Sequence, residues 1–116
     1  MRMKPLEIIE KITRSFIEKL GNAVENFEIY NIVDYPHPVQ YWGGSVKFKI
    51  YNFYAIVISL ECEKLWIYIP NLHDGGDIKI SNNNCSTMDW DKLVEEVKEE
   101  VQLRIPDKYL IAKGYK

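Results

Sequence analysis

Between Lys4 and Leu20 the apolar residues Leu6, Ile8, Ile9, Ile12, Phe16 and Leu20 recur every three or four positions. That spacing predicts an amphipathic helix, with Pro5 suited to its first turn and Gly21-Asn22 as its stop. From Phe27 to Ser81 the period changes to two. "FEIYNIV" places Phe27, Ile29 and Val33 on one face, and "SVKFKIY" turns Val46, Phe48 and Ile50 one way and Lys47 and Lys49 the other. This is the alternation of half-buried antiparallel strands. "FYAIVISL", residues 53–60, is apolar on both faces, which predicts a central strand covered on both sides. "LWIYIP" follows the polar turn "ECEK" and ends at Pro70, which cannot donate to a ladder. "HDGGD" then turns the chain into "DIKIS".

A second helical period begins after the polar loop "NNNCST", where Ser86 and Asp89 have capping-box spacing. Its apolar side is Trp90, Leu93, Val94, Val97, Val101 and Leu103; Asp91, Glu95, Glu96, Glu99 and Glu100 crowd the remainder. Pro106 breaks this helix, and "PDKYLIAKG" restarts a short one that stops at Gly114. The pattern predicts an α+β fold: an N-terminal helix, an antiparallel sheet of about five strands, and a C-terminal amphipathic helix packed on the sheet. Residues 1–116 read as a single domain, without linker, repeat or low-complexity segment.

Composition narrows the function classes. A 47% hydrophobic and 28% charged chain with eight tyrosines and three tryptophans has the make-up of a folded globular protein. No apolar run approaches the roughly 20 residues of a membrane span, and charges interrupt "MRMKPLEIIEKITRSF", so neither a signal peptide nor a membrane partner is expected. Two cysteines, Cys62 and Cys85, fit free thiols in a reducing cytoplasm. A net charge of −2 argues against direct nucleic-acid binding. The charge is unevenly placed: Glu61 to Glu100 carries ten acids against four bases, whereas Val101 to Lys116 carries four bases against Asp107 alone.

No phosphate-loop or dinucleotide fingerprint occurs. Gly43-Gly44 and Gly75-Gly76 each fall between predicted strands and are expected in turns. Cys62, Cys85, His37 and His73 lack the close pairing of zinc ligands, and His73-Asp74 with Asp77 reads as a hairpin turn rather than a cation site. Neither a metal nor a cofactor is expected. Without a "GxSxG" elbow or a Cys-His neighbour, the chain is not expected to be an enzyme. An acid/base nuclease using His37 and His73 stays open as an alternative, as does a general adaptor with an acidic helix. The like-charge pairs Glu95/Glu99 and Glu96/Glu100 are either a solvated face or a surface complementary to a basic partner. "YPHPVQYWGG", residues 35–44, is a stiff connector whose rings either pack on the sheet or contact a partner.

The closing stretch "MDWDKLVEEVKEEVQLRIPDKYLIAKGYK" resembles, over about a quarter of the chain, the C-terminal segment of small bacterial immunity proteins from contact-dependent growth inhibition and related polymorphic toxin systems. The resemblance implies a cytoplasmic protein without catalytic residues that binds a cognate toxin domain, often a nuclease, and occludes it. The familiar segment itself reads as structural: Trp90, Leu93, Val97 and Val101 as sheet-facing anchors, and Ile105, Tyr109 and Leu110 as a plug. A nuclease must hold phosphates and is usually basic, so its inhibitor gains from acids and from aromatic anchors. On that basis Glu95, Glu96, Glu99 and Glu100 are expected to steer the partner, and Tyr35, His37, Tyr41 and Trp42 to anchor it.

Overall fold

The computed structural model describes residues 4–34, 42–62, 64–70, 78–84 and 89–116. Helix α1 (Pro5–Leu20) opens with Pro5 at its first position, where the missing N–H costs nothing, and buries Ile8, Ile9, Ile12 and Phe16. Leu6, expected on this stripe, is exposed; Ile8 and Ile9 fill the arc instead. Gly21 ends the helix at φ +54°, its N–H bonding the Ile17 carbonyl, and a 3-10 turn (Gly21–Ala23) leads into the sheet.

Five antiparallel strands follow as a meander: β1 (Val24–Asp34), β2 (Trp42–Ile50), β3 (Tyr54–Glu61), β4 (Lys64–Ile69) and β5 (Ile78–Asn84), ordered β1-β2-β3-β4-β5. The expected α+β arrangement of helix, sheet and helix is the one observed. Edge strand β1 departs from strict alternation. Register shifts lie between Glu25 and Glu28 and between Tyr30 and Val33, with Asn26 at φ 59° and Asn31 at φ 55°. Each shift inserts one residue and reverses the faces beyond it. Val33, expected with Phe27 and Ile29, therefore pairs with Gly43 on the opposite face. The bulges also interrupt an otherwise long, open edge.

One face of the sheet carries the core. Phe48 stacks on Phe27 and meets Phe16 at a tilt, with ring distances of 4.9 Å each, and Val46, Ile50, Ile56, Ile58, Leu60, Leu65 and Ile67 complete the layer. α1 and α2 (Trp90–Gln102) pack side by side on it, and Lys19 meets Asp91 at 3.9 Å between them. β3 is central, as expected, but among the described residues both layers of helix lie on that one face. Val57, on the other face, is nonetheless only 4% exposed, flanked in register by Lys47 and Tyr68. Among the described residues the two-sided apolarity of "FYAIVISL" is thus met by cross-strand neighbours.

Gly43 and Gly44 lie inside β2, not in a turn. A Cβ at Gly43 would run into the Leu60 carbonyl of β3, and one at Gly44 would strike the Ile32 side chain beside Ile9. The pair permits close approach: β3 from the side, a bulged Ile32 from the core face.

Asp89 caps α2 directly, its carboxylate accepting from the N–H groups of Asp91 and Lys92; the helix starts at Trp90, later than the Ser86–Asp89 spacing implied. Leu93, Val94, Val97 and Val101 face the core, but Leu103 is 80% exposed because the helix has already ended. Pro106 caps α3 (Asp107–Ala112), and the chain closes with a Schellman motif: Gly114, at φ +80°, donates to the Ile111 carbonyl and Tyr115 to that of Leu110.

This terminal segment clamps the β2–β3 turn. Tyr51 and Asn52 both take positive φ in this three-residue connection, residues 51–53, with Phe53 N–H bonded to the Ile50 carbonyl. For a ring-bearing residue such a φ costs about 1–2 kcal/mol, and contacts from the C terminus offset it. The Tyr109 hydroxyl donates to the Tyr51 and Asn52 carbonyls at 2.9 and 3.1 Å. Gln102 Nε2 donates to the Tyr51 hydroxyl at 3.0 Å, and the Tyr115 ring meets Tyr51 edge-on at 5.2 Å. Burial pushes the Tyr51 phenol above its ordinary value of 10.0, with the Gln102 bond opposing.

Candidate partner-binding surface

The structure separates the residues expected to meet a partner. Trp42, expected as a partner anchor with its burial left open, is 3% exposed and part of the core, because β2 begins at that residue and its even-numbered positions face the helices. Tyr35, His37 and Tyr41 lie outside the described residues, as do His73, Gly75-Gly76, Cys85 and Ser86. Cys62 is an exposed free thiol in the β3–β4 turn, its N–H held by the Trp42 carbonyl.

Glu95, Glu96 and Glu99 stand exposed on α2. Their chain neighbours Val94 and Val97 are fully buried, so the carboxylates sit on a helix whose opposite side is locked into the core. Among the described residues none of these three has a cationic partner within ion-pair distance. They line, with Lys19, Asp91 and Lys92, a shallow depression at the junction of α1 and α2. Glu100 differs: Arg104 bonds its carboxylate at 3.1 Å and its backbone carbonyl as well, so this acid is spent on the end of its own helix. An exposed pair of that kind contributes under about 1 kcal/mol.

A second surface was not foreseen. The sheet face turned away from the helices carries cross-strand rows that the register fixes: Glu28, Lys47, Val57, Tyr68; Tyr30, Ser45, Ser59, Trp66; and Val33, Gly43, Glu61, Lys64. The two serines at the middle of the second row are joined through their hydroxyls, Ser45 Oγ lying 3.0 Å from Ser59 Oγ. Burial, reinforced by the neighbouring Tyr68 phenol, raises the Tyr30 pKa above 10.0, with the Ser45 hydroxyl opposing. Tyrosine and tryptophan on an otherwise polar sheet face are typical of protein-contacting surfaces. The alternation in "SVKFKI" gave the outward lysines, and that in "FEIYNIV", with Ile29 inward, gave Tyr30 on this face; the bulge between Glu25 and Glu28 that sets its pairing with Ser45 is what no pattern in β1 announces.

Among the described residues no group of three His, Cys, Asp or Glu side chains is arranged to hold a metal ion, and no helix is long and apolar enough to cross a membrane. Compared with protein-family models, curated proteins and solved structures, the chain matches none.

Proposed function

We propose that this chain is a cytoplasmic immunity protein that binds the nuclease toxin domain of a cognate effector and neutralises it by occlusion, with no chemistry or cofactor of its own. The observation that carries this reading is the carboxylate row of Glu95, Glu96 and Glu99, without an ion pair among the described residues and fixed on a core-packed helix. Such a row supplies oriented negative potential to a partner built to hold phosphates, and preformed charge of one sign speeds encounter and rejects acidic competitors. The likeness of the C-terminal stretch to immunity proteins supports the same reading.

Co-expression tests it. Cells making the toxin domain encoded beside this chain should survive when the chain is present and die when it is absent. Death of cells containing soluble, folded chain would refute the proposal.

A further inference from the structure

Two rows of the open sheet face converge on a concavity of about 330 Å³ lined by Asn31, Val33, Gly43, Ser45, Ser59 and Glu61. Gly43 contributes no side chain to the row Val33–Gly43–Glu61, next to the Ser45–Ser59 pair, and the Leu60 carbonyl of β3 fills the place a Cβ would take. The chemistry of the rim is one-sided. Each hydroxyl brings one proton and two lone pairs, and the Ser45–Ser59 bond uses one of the two serine protons. The Glu61 carboxylate accepts only, and it is exposed, with no ion pair among the described residues although Lys64 lies opposite in register. The notch therefore offers an excess of acceptors and one negative charge. Tyr30 and Trp66 stand at the two ends of the hydroxyl row.

We infer that this notch receives an arginine side chain of the protein partner. A guanidinium is planar, carries five N–H donors and no acceptor, and stacks on aromatic rings. It can lie in this concavity, donating to Glu61 and the serine hydroxyls. A lysine ammonium presents three donors at a point and cannot span both. The inference rests on the proposal that the partner is a basic protein, and it names the side chain that partner inserts.

The test needs no toxin, so its failure and the failure of the toxin-binding proposal are distinguishable. The isotope-labelled chain is titrated with N-acetyl-arginine methylamide and, separately, with the lysine analogue, up to ~50 mM, the range where a single side chain binds. Amide shifts should move at Gly43, Gly44, Ser45, Ser59 and Glu61, at least about threefold more weakly for lysine. They should vanish in Glu61→Gln, whose spectrum elsewhere overlays that of the parent. Shifts absent from these residues, equal for the two analogues, or unchanged in Glu61→Gln would overturn the assignment. In the toxin complex, Glu61→Gln should weaken affinity about tenfold, the size of one charge-assisted hydrogen bond.

Discussion

Truncating Leu110 to alanine probes whether the C-terminal segment is part of the folding unit or a strap laid over it. Leu110 is 0% exposed and belongs to the core cluster, although α3 is only six residues long and would not form alone. Leu110→Ala removes three buried carbons. At about 0.8 kcal/mol each the transfer loss is ~2.4 kcal/mol, and the cavity left beneath α3 raises it to about 3 kcal/mol. For 116 residues the unfolding entropy is about 0.24 kcal/mol/K, so the melting temperature should fall by ~12 °C. Urea unfolding followed by tryptophan fluorescence should show the midpoint lowered with an unchanged slope, since the whole domain still unfolds together. Ile111→Ala, at the neighbouring 62% exposed position, should cost less than about 0.5 kcal/mol. If Leu110→Ala costs under about 1 kcal/mol globally, the terminal segment frays independently and does not hold the β2–β3 turn.

Three further outcomes follow from particular contacts. Gly43→Ala should destabilise by about 1–3 kcal/mol in a thermal melt, because the new methyl meets the backbone carbonyl of Leu60, which cannot rotate away. The phenols of buried Tyr51 and half-buried Tyr30 titrate above 10.0, so the folded state holds its protons longer than the unfolded chain does. Their contribution is intact below pH ~10 and lost as pH rises beyond it; absorbance titration at alkaline pH should show a late-ionising population that Tyr51→Phe diminishes. Replacing Glu95, Glu96 and Glu99 together by glutamine should slow toxin association at low salt far more than at high salt, as screening removes the same field, whereas Glu100→Gln, whose carboxylate already serves Arg104, should leave association nearly unchanged.

How much of this was legible in the sequence depends on whether a residue's role is set locally. The two long helices and the meander follow from periodicity, because the side chains that alternate are those that pack. Asp89 as a cap, Gly114 as a stop and Pro106 as a restart are likewise local chemistry. What failed was set by distant partners. Gly43 and Gly44 resemble turn glycines until β3 and Ile32 are placed beside them. Val33 changes face through a bulge at Asn31, and nothing in "FEIYNIV" distinguishes that asparagine from an ordinary outward position. Trp42 sits at the end of a connector rich in rings and prolines, but its strand register carries it into the core. The acids of α2 were visible as letters; that Glu100 is tied to Arg104 while its three neighbours have no ion pair among the described residues requires the helix end to be seen.

The most direct trial of the account is the residual nuclease activity of the purified toxin domain as this chain is added. Stoichiometric loss, reaching zero at one equivalent, is the expected result for an occluding immunity protein. Full activity in the presence of excess folded chain would contradict it.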